Sequence, residues 1–312
     1  MSIKKIYRNI FYSLLIAILM LFLGLIISFI ITKVIPVDPV EELLPIVYTQ
    51  EQYDAMEHHL GFDKPLIVQF FRYIGDFFTG NWGTSYSLAP GVDVLTLMKE
   101  RFPRMIELLI LPVIVGVGVG ILFGKIAIIY KDKWADKVIR ILAILGISAP
   151  VFWLSMFFQY VFSYQLEWFP AFGFKSGDLD YYIMPMSILT IAISSLITLQ
   201  TRSTLESEPI EKSVISNTFL ISKSFGFIIM FYILTAAVFA IHGIEEMLID
   251  TLYEKDVFSL SGILFALITT LVIGTFIANL IISLYRYISV EVRTKRPVLY
   301  NEINEEEVNN VG

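Results

Sequence analysis

Between Arg8 and Lys33 the chain carries no charged side chain, and the run Ile10–Thr32 is almost wholly apolar. Crossing the hydrocarbon core takes roughly 20 such residues in a helix. Lipid offers backbone amides no partners, so the segment must satisfy them internally and coil into a helix. Comparable runs recur at Met105–Tyr130, Val138–Tyr164, Tyr182–Leu199, Phe219–Ile241 and Phe258–Tyr285. The pattern predicts an all-α integral membrane protein with six transmembrane helices. Composition agrees: 56% of residues are hydrophobic, 17% are charged, and the mean hydropathy is +0.72. A soluble domain has about a quarter of its residues charged. Lys4, Lys5 and Arg8 before the first run resemble the start of a signal peptide. The run is too long for an h-region and no small-x-small site follows it, so we read residues 1–35 as the N-terminus and an uncleaved first span.

Lys and Arg set the orientation. With the N-terminus inside, Lys125, Lys131, Lys133, Lys137, Arg140, Arg202, Lys212 and Lys223 all lie on the cytoplasmic side, as do Arg286, Arg293, Lys295 and Arg296. The two short outer loops hold only Lys175 and Lys255. Both termini are therefore expected in the cytoplasm of a multi-pass cell-membrane protein. The acidic tail, residues 289–312, reads as a solvated end. Cysteine is absent, which excludes a disulfide framework and a thiolate metal site. The charge balance gives no reason to expect nucleic acid; membrane lipid is the expected surrounding.

Residues 36–102 separate the first two runs and read as a small external helical cap. Thr49, with Gln52 three residues on, has the form of a capping box. Gly61 is a helix stop. Pro65 then opens an amphipathic stretch with Leu66, Phe70, Ile74, Phe77 and Phe78. Pro103 is expected to open the second span, the first helix of a five-helix core over residues 103–288.

Within the spans, Gly116, Gly120 and Gly124 recur every fourth residue. The glycine-rich string suggests a nucleotide loop, but that fingerprint needs a strand before it and a soluble helix after it. On a membrane helix the same spacing lets a neighbour approach closely. No P-loop occurs, so any ATP would be hydrolysed by another chain; no catalytic set and no cofactor site emerges. His58 and His59 are adjacent, which is poor chelate geometry, and no metal site is expected. His242 stands three and four residues before Glu245 and Glu246, a spacing that puts it on one helix face with both carboxylates, as a gate, a partner contact or a solvated helix end. Gln159 and Asn279 either line a path or bond between helices. Ser194, Ser195, Thr198 and Gln200 make the fourth span polar, as if it faced a cavity or lay among other helices. Glu107, near the end of its span, is read as structural.

Several strings, in order, resemble one family. PVDP (Pro36–Pro39) is similar to P-G-D-P, and Leu60–Tyr86 to L-G-L-D-x-P-x-x-x-Q-Y…G-D-x-G-x-S-Y. Glu100–Ile110, Gly146–Ser155, Leu166–Phe174 and Val238–Gly262 also have counterparts. The chain resembles the inner-membrane permease subunits of dipeptide/oligopeptide ABC importers over about residues 6–290. The resemblance implies a type I importer bundle working by alternating access. It implies a second permease subunit in a heterodimer, cytoplasmic ATPase subunits and an external substrate-binding protein. The family's ATPase-coupling loop corresponds to residues 202–218. There Leu205, Glu206, Glu208, Pro209, Ile210, Glu211 and Lys212 stand without the family's E-A-A-x-x-x-G string. Ser283 stands where an Asp is expected, and SVEVR replaces D-P-R. A rival reading is a non-transporting relative acting as a membrane scaffold or regulator.

Overall fold

The computed structural model describes residues 3–207 and 210–280. Every regular element among them is helical. Helix α1 spans Ile3–Val34. The segment after it holds α2 (Pro39–Glu42), α3 (Gln50–Leu60) and α4 (Leu66–Thr79). Next come α5 (Val94–Ile129), α6 (Trp134–Ser148) and α7 (Val151–Phe158), which continues as a π-helix over Gln159–Gln165. Then follow α8 (Asp180–Ser207), α9 (Ile210–Val238), α10 (Ile244–Tyr253) and α11 (Val257–Leu280). Among the described residues four helices are long and apolar enough to cross a membrane: α1, α5, α8 and α11. The α6–α7 pair makes a fifth if counted as one span. The predicted span at 219–241 overlaps only a shorter apolar stretch of α9, Ser224–Val238.

The expected span Val138–Tyr164 is two helices meeting at 93°. Pro150 explains the corner. Its ring excludes the α conformation from the residue before it, and Ala149 is indeed extended at φ −67°, ψ 123°. Helix α5 starts earlier than expected, at Val94, with Pro103 and Pro112 inside it. Pro103 frees the carbonyl of Lys99, and Lys99 lies on an exposed turn where water can take that bond. The segment read as a cytoplasmic loop is also largely helical: α8 runs on to Ser207 and α9 resumes at Ile210. Neither flank carries a helix breaker apart from Pro209.

Helices α5 and α8 form the centre. Gly116, Gly120 and Gly124 stack one per turn against Ile193, Ile197 and Thr201. A Cβ on each glycine would lie 2.9, 2.6 and 2.5 Å from the Cβ atoms of those residues. It would also crowd the carbonyls of Thr190, Ser194 and Thr198 at 3.3, 2.9 and 3.0 Å. Matching steps of four on both helices bring the backbones together. In the most apolar stretch of α8, 61% of residues are buried, against 17% in α1. The polarity of α8 therefore belongs to a helix surrounded by protein.

The segment between α1 and α5 packs across α1 and α11. Thr49 caps α3 with the reciprocal Gln52 bond, and Gly61 ends that helix in the left-handed region. On α4 the inward face is Phe70, Tyr73 and Phe77, in edge-on and tilted ring contact with Phe22, Phe29 and Phe265. Leu66 and Phe78, expected on that face, are exposed. Trp82 adds to the cluster against Phe265 at 5.5 Å. Beyond it, Gly83 adopts φ +83°, and a Cβ there would lie 2.7 Å from Phe258. Only glycine meets both demands.

Candidate functional site at the two ends of the α5–α8 pair

At the end where α5 turns into α6, three segments meet in a web of charge. Asp136, fully buried in the first turn of α6, accepts two bonds from Arg202 of α8, at 2.7 Å from Nε and 2.9 Å from Nη2. This is the fork geometry in which guanidinium–carboxylate pairs are strongest. The remaining guanidinium nitrogen of Arg202, Nη1, donates to Glu206 at 2.6 Å, one turn along α8. The other oxygen of Glu206 pairs with Lys131 in the α5–α6 turn at 3.1 Å. The Asp132 N–H donates to Asp136 at 3.1 Å and closes the turn. Leu205 is buried beside this web. Glu208 and Pro209 lie outside the described residues. Ile210, Glu211 and Lys212 open α9, and their side chains lie outside them too.

Sequence reasoning missed the Asp136–Arg202 pair. Its signals were small: an acid within a basic turn, and an Arg four residues before a Glu at the end of a span. Neither says that the two sites, 66 residues apart, meet.

Along α8, Ser195 and Thr198 are buried. The Ser195 hydroxyl lies against Gly146 of α6, where a Cβ would overlap it. Ser194 bonds back to the Ile191 carbonyl at 3.1 Å. All three therefore sit in helix-packing surfaces. Asn279 is partly buried on α11. A cavity of about 880 Å³ lies under the α2–α4 segment, bordered by Lys33, Tyr53, Arg72, Asp76, Trp82 and Phe258. None of the expected path residues lines it.

At the opposite end, Gln159 donates to the carbonyls of Ala171 at 2.8 Å and Val238 at 3.1 Å, joining the π-helix to the end of α9. His242 and Glu245 do not share a helix face as expected. Gly243 is extended at φ −116°, ψ −152°, and α10 begins only after it. His242 stays exposed and meets Glu246 at 2.6 Å. Glu246 also takes Arg101 of α5 at 2.8 Å, while Arg104 donates to the His242 carbonyl. Glu245 turns inward, fully buried, and accepts from the Tyr232 hydroxyl at 2.7 Å and the Gly243 N–H at 3.1 Å.

Burial holds the Glu245 carboxyl above its ordinary 4.5, against the opposing pull of the Tyr232 hydroxyl. A raised folded-state pKa favours the protonated form. That stability is fully present below the unfolded pKa and is lost as pH rises through the folded one. Thermal unfolding in detergent from about pH 4 to about pH 8 should therefore show Glu245→Gln gaining on the wild type as pH climbs. Parallel curves for the two proteins would remove Glu245 as a source of pH dependence.

Among the described residues no three His, Asp or Glu side chains converge as a metal cluster. What the arrangement can do is mechanical. It joins helix ends at both poles of one tightly packed pair.

The model of the binding-protein-dependent transport system inner membrane component family matches residues 116–211, and that of its N-terminal part matches residues 6–109. Together they take in more than half of the chain. DdpB of Escherichia coli (strain K12), named as a probable D,D-dipeptide transport system permease protein, is 34% identical over 165 residues. That alignment covers 53% of this chain and 47% of the relative, about half its length. The dipeptide transport system permease protein DppB of Lactococcus lactis subsp. cremoris is 29% identical, covering 76% of this chain and 84% of its own. The glutathione transport system permease protein GsiC of Salmonella paratyphi A is 28% identical, over 86% and 92%. The matched residues contain the glycine seam between α5 and α8, the bent α6–α7 pair and the Asp136–Arg202 bridge. The chain belongs to the binding-protein-dependent transport system inner membrane component family.

Proposed function

We propose that this chain is a permease subunit of an ATP-driven ABC importer for peptides or similar small solutes. It sits in the cell membrane with six spans and both termini in the cytoplasm, and the α2–α4 segment forms an external cap. A second permease subunit completes the path, ATPase subunits bind from the cytoplasm, and an external binding protein delivers the solute. One observation carries the reading. Helix α8, the buried centre of the family-matched core, runs without a break into residues 205–207. Force applied to the 205–212 connector therefore reaches the middle of the bundle. A partner can drive such a switch only if its own two states hold the connector differently.

The test uses the complex purified with its partner subunits and placed in vesicles. Uptake of a labelled dipeptide and ATP hydrolysis are followed together. Glu208→Ala/Glu211→Ala should reduce uptake at least about tenfold, a coupling-sized loss, while hydrolysis continues. Wild-type uptake in that variant would remove the connector from the coupling role. The missing E-A-A-x-x-x-G string favours a second reading, a scaffold or regulator that transports nothing. Purification without any bound ATPase would favour that reading.

A further inference from the structure

Resting on that reading of the connector, we infer that Arg202 is a positioning residue that makes α6 move with the end of α8, so that motion imposed on residues 205–212 reaches the bent α6–α7 pair. Arg202 commits all three guanidinium nitrogens. Two hold Asp136 on α6 and one holds Glu206 on its own helix. Glu206 in turn holds Lys131, and the Asp132 N–H closes on Asp136. The ends of α5, α6 and α8 are thereby fixed to one another within a turn of Leu205.

Stability alone is a weak reason for such a knot. Bringing an ion pair out of water costs about as much as its attraction returns, and Asp136 is fully buried. What a bidentate bridge supplies instead is a fixed angle between two helices. That angle has a use here. Helix α6 is a rod of 15 residues, about 22 Å at 1.5 Å per residue. It is anchored at its start by Asp136 and ends at the Ala149–Pro150 corner. Near the corner, Gly146 packs on Ser195 of α8. Past the corner, α7 packs on α9 as well as on α8, and Gln159 of the π-helix is bonded to the Val238 carbonyl at the end of α9. Turning the end of α8 swings α6 as a lever, while the α9 contacts and the Gln159 bond hold α7 back. The corner is where the two motions part.

The chain has no cysteine, so spin labels can be placed at will. One goes on α6 at Lys137→Cys and one on α7 at Trp153→Cys, both exposed positions. The label distance is measured in the complete reconstituted complex with and without ATP, beside solute uptake and ATP hydrolysis. Arg202→Lys keeps a cation but loses the fork. We expect it to hydrolyse ATP within about twofold of the parent. Uptake per ATP should fall at least about tenfold, within the range of ordinary coupling energies, and the ATP-dependent distance change should vanish. Asp136→Asn, similar in size, should do the same and serves if Arg202→Lys does not assemble. A variant that keeps both the distance change and the uptake per ATP overturns the role of Arg202 while leaving the permease reading intact. A parent complex that takes up nothing with ATP overturns both.

Discussion

Gly120→Leu will abolish the folded bundle, while Gly118→Ala, two residues away on the same helix, will be tolerated. Even a lone Cβ on Gly120 would lie 2.6 Å from Ile197 Cβ and 2.9 Å from the Ser194 carbonyl oxygen. Neither is the free end of a flexible side chain. The helices would have to separate along their whole contact, since Gly116 and Gly124 are seated the same way. Overpacking of this kind costs about 1–3 kcal/mol for a methyl and more for a larger side chain. Gly118 meets nothing within 4 Å. Replacing it with Ala removes the entropic penalty of a mid-helix glycine, about 0.5–1 kcal/mol. Size-exclusion profiles and melting curves in detergent would separate the two. A monodisperse Gly120→Leu protein with unchanged Tm would refute the tight α5–α8 seam.

Asp256→Ala should be the most damaging change outside that seam. The Asp256 side chain is fully buried at the start of α11. It accepts from the Ser85 hydroxyl at 2.6 Å, the Ser259 hydroxyl at 3.0 Å and the Ser259 N–H at 3.1 Å. Around it, Tyr86 donates to the Lys255 carbonyl at 2.5 Å and accepts from the Val257 N–H at 2.9 Å, and Ser87 bonds Glu254 at 2.9 Å. The turn Gly83–Ser87 is thus fastened to the α10–α11 junction, and the buried Asp256 carboxyl sits at the centre of that fastening. Alanine leaves several buried donors without an acceptor, at about 1–3 kcal/mol each, and removes a helix cap besides. We expect a Tm loss and rapid proteolysis between α4 and α5. Asp256→Asn, which keeps one acceptor oxygen, should fall between the two. Full protease resistance in the alanine variant would show that the turn is held by its aromatic residues instead.

These features were legible in the sequence to different degrees. Long apolar runs showed themselves because lipid imposes one solution on the backbone. The Thr49–Gln52 box and the Gly61 stop were legible because capping is local. The glycine spacing announced a close neighbour but could not name α8, since the partner's steps of four carry no special residues beyond Ile193, Ile197 and Thr201. The right-angled corner at Pro150 was hidden because the apolar run passes through it without a change in composition. Tertiary polar pairs were hardest to see. Asp136 with Arg202, and Ser85 with Asp256, are 66 and 171 residues apart, and no local pattern links such positions. His242 and Glu245 were wrongly placed together because one extended glycine resets the helical phase.

The burial of α8 has a consequence for how the chain is made. It is the least greasy of the four long helices, and so the one that gains least by entering lipid alone. Its berth is the groove of α5 and the Gly146 notch of α6, and both leave the ribosome before it does. Synthesis order therefore supplies the walls first and the pillar afterwards. Were α8 made ahead of α5 and α6, it would have nothing to settle against.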